Sequence, residues 1–227
     1  MKGLLFLLTI SGLFLGCSSG DSPKILVAIG DSNGASEHGW VVQLTELRKD
    51  DSILNFSVPG NTIGFDNLGQ HRLNTLRNIE TYLDSAYSAH QKVDMFIVLL
   101  GTNDCKAVFD DRQDEVVTNL DSLITSIRDL ATSRYSDHPG ILIVSPPPYG
   151  PDSVLIEKYK GGDERVRALL PEYEILAKQT DSHFADVYEP LKNDFMSYSS
   201  DGVHLSADGQ MIIAQAIDQK LREILRN

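Results

Sequence analysis

Four short stretches of the chain carry residue types that act together in acyl transfer. Gly30-Asp31-Ser32-Asn33-Gly34 offers a hydroxyl at a glycine-flanked turn, where a serine stands exposed beside free backbone N–H groups. Asp201-Gly202-Val203-His204 puts a carboxylate three residues ahead of an imidazole. His204 is suited to take the proton of Ser32, and Asp201 to orient the ring through its other nitrogen. Pro59-Gly60-Asn61-Thr62 and Gly101-Thr102-Asn103-Asp104 complete the set. Donors for a developing oxyanion would be the backbone N–H groups of Ser32 and Gly60 and the side-chain amide of Asn103. Taken singly, each stretch has a plain use as a turn or a helix cap. The first is also a poor dinucleotide fingerprint, which needs three glycines at fixed spacing.

Residues so far apart in sequence need a scaffold, and apolar periodicity outlines one. Lys24–Ile29 is a continuous apolar run, as a strand buried on both faces requires. Further strands are predicted over Ile53–Val58, Val93–Leu100, Ile141–Val144 and His183–Val187. Helical spacing marks Glu37–Arg48, Leu73–Tyr87, Val116–Leu130 and Ala207–Leu225. A further helix falls within Asp163–Gln179, where Pro171 either kinks it or opens its second half. Strands alternating with helices predict an α/β fold, a parallel sheet covered on both faces. Sites in such folds form in loops beyond the carboxyl ends of the strands, and all four stretches fall in loops.

With those motifs in their loops, the sequence resembles the SGNH/GDSL hydrolase family. The family's markers are a serine in Gly-Asp-Ser, a glycine after the second strand, an asparagine in Gly-x-Asn-Asp and a histidine in Asp-x-x-His. They correspond here to Ser32, Gly60, Asn103 and His204, in the family's order, and the resemblance runs from Lys24 to the C-terminus. It implies a three-layer α/β/α, flavodoxin-like fold with a five-stranded parallel sheet. It implies a catalytic triad of Ser32, Asp201 and His204, an oxyanion hole of Ser32, Gly60 and Asn103, and no cofactor. Residue 33 is Asn where the name-giving motif has Leu. The Gly101-Thr102-Asn103-Asp104-x-Lys106 stretch is similar to that of members acting on small acyl esters, including aryl esters and acetylated sugars.

The remaining candidates weigh less. The other histidines show no pair at metal-ligand spacing, and the acidic stretch Asp110–Glu115 lacks the pattern of a calcium loop. Cys105 has no evident base and reads as a buried thiol. Tyr149 follows the Pro146–Pro148 run on the site's side and is expected to wall the substrate pocket together with Asn33 and Asp104. With 20 basic against 32 acidic residues, net −12, the chain is a poor partner for nucleic acid. Its 227 residues, 41% apolar and 23% charged, fit one globular domain and exclude disorder and a multi-span membrane protein.

The N-terminus has its own logic. Lys2 precedes the short apolar run Leu4–Leu15, the layout of a secretory signal peptide. The run ends in Leu15-Gly16-Cys17, similar to a bacterial lipoprotein cleavage site. The expected organisation is a signal peptide over 1–16, lipidation at Cys17, a flexible linker over 17–23 and the hydrolase domain over 24–227. Membrane contact would then run only through the lipid on Cys17, with the protein exported to the cell envelope and held at the outer membrane, where Ser18 rather than Asp follows the cysteine.

The expected activity is a serine esterase acting on small acyl groups, acetyl foremost, on small esters or acetylated saccharides. A lysophospholipase or thioesterase, and a non-catalytic glycan-binding lipoprotein, are the alternatives.

Overall fold

The computed structural model describes residues 22–225. The expected signal segment, Cys17 and most of the linker lie outside the described residues. Five apolar segments pair into one parallel sheet: β1 (Ile25–Ile29), β2 (Ser52–Asn55), β3 (Met95–Leu99), β4 (Gly140–Val144) and β5 (His183–Ala185). Their order is β2-β1-β3-β4-β5, with Leu26 beside Met95 and Val27 beside Phe96 in register. Every residue of β3 is buried, as the central strand of a doubly covered sheet demands.

Side chains alternate across the sheet and so feed two separate cores. Leu26, Ala28, Met95, Ile97, Leu142 and Val144 face one layer, formed by α2 (Trp40–Leu47) and α7 (Ala207–Leu225). Val27, Ile29, Phe96, Val98, Ile141 and Ile143 face the other, formed by α3 (Thr75–Ala89), α4 (Asp114–Tyr135) and α5 (Gly162–Gln179). Each fully buried Leu, Ile or Val contributes roughly 1.5–3 kcal/mol by leaving water. The result is the parallel sheet covered on both faces that the apolar pattern predicts, in the three-layer, flavodoxin-like order that the family resemblance implies.

Two departures bear on the site. The helix expected over Glu37–Arg48 starts only at Trp40, and a separate single turn, α1 (Ser32–Ala35), precedes it directly after β1. The second strand leaves the regular ladder at Asn55, yet Phe56 N–H still bonds Ala28 O and Val58 N–H bonds Gly30 O. Those two bonds hold the Gly60 loop against the Ser32 turn. Pro171 sits within a single helix, α5, and is exposed, so the bond it cannot make falls on the solvent side.

The order β2-β1-β3 reverses direction at β1, because connections on its two sides run opposite ways across the sheet. In open α/β sheets the crevice beyond the strand ends at such a point is where ligands bind. Ser32 follows β1 and Asn103 follows β3, so both border it.

Candidate active site

The Ser32 turn is built by Asp31. Its buried carboxylate caps α1, with Oδ1 accepting from Asn33 N–H at 2.9 Å. Burial raises the Asp31 pKa, while the Asn33 N–H bond, Thr102, and the charges of His204 and Lys106 pull the other way. Ser32 itself is half-buried. Gly34, two residues on, is tightly packed: a Cβ there would lie 2.4 Å from Ser57 Oγ and 2.9 Å from Trp40 Nε1. Close packing of α1 on β2 and α2 therefore fixes where the hydroxyl emerges.

The histidine loop lies at the opposite end of the chain. Asp201 Oδ2 meets His204 Nδ1 at 2.6 Å, and Oδ1 accepts from the backbone N–H groups of Val203 and His204 at 2.9 and 2.8 Å. Burial pushes the Asp201 carboxyl up, but those bonds from the His204 ring and backbone outweigh it and hold its pKa at about 2. An ionised Asp201 fixes Nδ1–H as the ring's inner side and turns Nε2 outward. The His204 side chain is 47% exposed, so that outer nitrogen meets solvent and substrate. Gly202 takes a left-handed φ of +77° between them, which lets the loop fold back on its own carboxylate.

Asn33 joins the two ends. Its Oδ1 accepts from Leu205 N–H at 3.1 Å and from Gln210 Nε2 at 2.7 Å, and its Nδ2 donates to Val203 O at 3.4 Å. The residues on both sides of His204 are thus bonded to the residue next to Ser32. Gln210, in the first turn of α7, accepts in turn from Trp40 N–H at 3.1 Å. No signal in a single sequence announces Gln210, since Trp40 and Asn33, which it joins, lie 170 and 177 residues away.

The loops after β2 and β3 form the third side. Gly60 has φ +86°, a conformation that disfavours any side chain, and its carbonyl accepts from Asn67 Nδ2 at 2.6 Å. Asn103 Nδ2 donates to Asn61 O at 3.0 Å, one of the amide's two hydrogens, and leaves the second free. Asp104 braces the two loops, accepting Ile63 N–H at 2.9 and 3.2 Å. Burial drives its pKa up to about 7 despite that bond, with the Asp31 charge adding to the rise.

The structure places Asn33, Asp104 and Tyr149, expected on the pocket wall, as buried side chains around the site. All three side chains are buried and committed to interior bonds: Asn33 to the histidine loop, Asp104 to Ile63, and Tyr149 Oη to Thr102 O. Each shapes the site from behind. Cys105 is buried and its thiol pushed well up by burial and the Asp104 charge, so it is an inert core group. Among the described residues, no three His, Cys, Asp or Glu side chains converge as a metal ion would require.

Comparison with known proteins identifies the family and the fold. The family model for the GDSL-like lipase/acylhydrolase family matches residues 20–212. No curated protein matches the chain in sequence. Among solved structures, a carbohydrate acetylesterase from Sinorhizobium meliloti is similar at 25% identity and TM-score 0.74, covering 88% of this chain and 99% of that one. The M. smegmatis aryl esterase (24% identity, TM-score 0.70, 88% and 99% covered) shares the fold. So does an acetylxylan esterase from Geobacillus stearothermophilus (22%, TM-score 0.60, 89% and 94% covered). With the family match spanning most of the sequence, the chain belongs to the GDSL-like lipase/acylhydrolase family and is a carboxylic ester hydrolase.

Proposed function

We propose that the chain hydrolyses small acyl esters, acetyl esters of saccharides foremost, through an acyl-serine intermediate. The observation that carries this is the Asp201–His204 pair at 2.6 Å, bonded on both flanks to the residue after Ser32. Ser32 Oγ attacks the ester carbonyl while His204 Nε2 accepts its proton, and Asp201 stabilises the imidazolium. The oxyanion draws on the N–H groups of Ser32 and Gly60 and on the free hydrogen of the Asn103 amide. His204 then protonates the leaving alcohol. Water, activated by the same imidazole, releases the acid and restores Ser32.

Small acyl groups are favoured by the crowding behind Ser32. Asp31, Asn33, Asn103 and Pro146–Pro148 are all buried, and the polar members surround the Ser32 and Asn103 loops with hydrogen-bonding groups rather than hydrocarbon. A methylene without an apolar wall forgoes roughly 0.8 kcal/mol of burial, so long chains gain little binding from their length. The similarity to a carbohydrate acetylesterase supports a saccharide as the alcohol side. The test is a series of matched esters from acetyl to palmitoyl. Acetyl to butyryl esters should have the highest kcat/KM. Faster turnover of palmitoyl esters or lysophospholipids would contradict the proposal.

For location, we propose a lipoprotein of the bacterial envelope, anchored at the outer membrane through acyl chains on Cys17. The support is the apolar run ending in Gly16-Cys17. Full-length protein should partition into detergent and Cys17→Ala should not. A Cys17→Ala product processed and located like wild type would contradict the anchor.

A further inference from the structure

Among the described residues, one buried cation beside the site makes no ion pair. Among the described residues every lysine pairs with a carboxylate except Lys24, Lys106 and Lys158. Two of those three meet at one aromatic ring: the ammonium of Lys106 lies 5.6 Å from the centroid of Tyr159, and that of Lys158 lies 4.8 Å from it. Lys106 is only 5% exposed and makes no side-chain hydrogen bond. Its nitrogen is nevertheless not among the sealed atoms lacking a partner, so the tip reaches solvent while the stem is buried.

The position of this pair relative to the chemistry follows from a short chain of contacts. Lys106 closes the turn that begins at Asn103, its N–H bonding Asn103 O at 3.4 Å. Tyr159 packs on Tyr149 with centroids 5.8 Å apart, and Tyr149 Oη donates to Thr102 O, next to Asn103. The ring and both ammonium groups are thus tied to the oxyanion loop. The Lys106 charge is felt at Asp31, the residue before Ser32.

A lysine in this setting is costly. Burial and the neighbouring Lys158 charge pull its pKa down to about 8, against the opposing pull of Asp31 and Asp104. Neither carboxylate pairs with it directly: among the described residues Lys106 forms no ion pair or side-chain hydrogen bond with Asp31 or Asp104, and Asp104 is turned to Ile63. In a chain of net charge −12, two cations over one ring and without an ion pair stand out, and their charge is suited to an external anion.

We propose that Lys106 and Lys158, set around Tyr159 beside the oxyanion loop, bind an anionic group carried by the ester substrate, a carboxylate or a phosphate. This inference rests on the esterase proposal and narrows it: the preferred substrate is an acidic ester, such as an acetylated acidic sugar, rather than a neutral one. The two anion sources, an acidic saccharide and a phosphate-bearing ester, share the chemistry and are separated by the test.

The experiment measures kcat/KM for three acetyl esters matched in size, one neutral, one bearing a carboxylate and one a phosphate. Wild type, Lys158→Gln, Lys106→Met and the distant surface control Lys49→Gln are compared, each by its own ratio of charged to neutral substrate. The expected wild-type ratio is about tenfold or more for one of the charged esters, which identifies the source, and it should fall as salt is raised. Lys158→Gln and Lys106→Met should each cut that ratio about tenfold, while Lys49→Gln keeps it. Lys158 is exposed, so its variant decides the matter even if Lys106→Met fails to fold. A wild-type ratio near one, or a ratio unchanged in Lys158→Gln, overturns the anion site while leaving esterase activity intact. Loss of hydrolysis for all three esters in wild type would instead count against the esterase proposal itself.

Discussion

Asn33 occupies the position where the family motif carries leucine, and its amide makes three bonds that leucine cannot. In Asn33→Leu, Leu205 N–H, Val203 O and Gln210 Nε2 lose a buried partner, each at a cost of about 1–3 kcal/mol where no replacement is found. The kinetic consequence should be specific. With the histidine loop free to shift relative to Ser32, kcat should fall about 10- to 100-fold with KM little changed. Asn33→Asp keeps the acceptor for Leu205 and Gln210 but sets a carboxylate oxygen against Val203 O, so it should fall between wild type and Asn33→Leu. Wild-type kcat in a folded Asn33→Leu protein would show that the bracket does not position the histidine. Asn103→Ala removes an oxyanion donor and leaves the triad, so its loss should sit in kcat, about 10²–10³-fold.

Two carboxylates of the site give opposite pH signatures. Asp201, held at about 2, is below its unfolded value, so the stability it adds is present above pH 4 and lost as pH falls towards 2. Activity lost above pH 4 therefore does not come from protonating Asp201. Asp104 is raised to about 7, so the folded state holds a proton that the unfolded chain has released. Its effect is absent below about pH 4, and stability declines as pH rises from there to about 7. Asp104→Asn keeps an oxygen for Ile63 N–H and cannot ionise. It should flatten that decline in urea melts taken between pH 4 and 8, and an unchanged slope would contradict the assignment.

At the scale of elements, the strands and long helices were the readable part, because each carries a run or stripe of apolar residues that a sheet covered on both faces demands. The last helix matches its predicted bounds, Ala207–Leu225. The third long helix runs past the predicted Leu130 to Tyr135, since small Ala131 is buried and extends the stripe without looking like part of it. The single turn at Ser32–Ala35 and the winding stretch from Phe56 to Asn74 were not readable. Both are held by long-range side-chain bonds, such as Asn55 Nδ2 to Gly34 O and Asp104 to Ile63, that leave no periodic trace. The four motifs identified the loops, but which neighbours serve as braces depended on pairings across the chain. Gly34 makes the element-scale prediction. Gly34→Ala should destabilise by roughly 1–3 kcal/mol through overpacking on Ser57 and Trp40. Adding Ser57→Ala removes the closest clash and should recover part of that loss. Equal stability of Gly34→Ala and wild type in thermal melts would show that the turn has room to give.

For the whole molecule, strand order decides where chemistry can occur. The reversal at β1 marks the end of the sheet where such folds bind ligands, β1 and β3 deliver Ser32 and Asn103 to it, and the loop before α7 brings His204 over from the far end of the chain. All of this converges on one claim, that Ser32 is the nucleophile and His204 its base. The direct measurement is labelling of the purified protein with a fluorophosphonate, followed by mass spectrometry of its peptides. A single adduct on Ser32 is expected, absent in Ser32→Ala and formed far more slowly in His204→Ala. Undiminished labelling in Ser32→Ala, or an adduct on another residue, would contradict it.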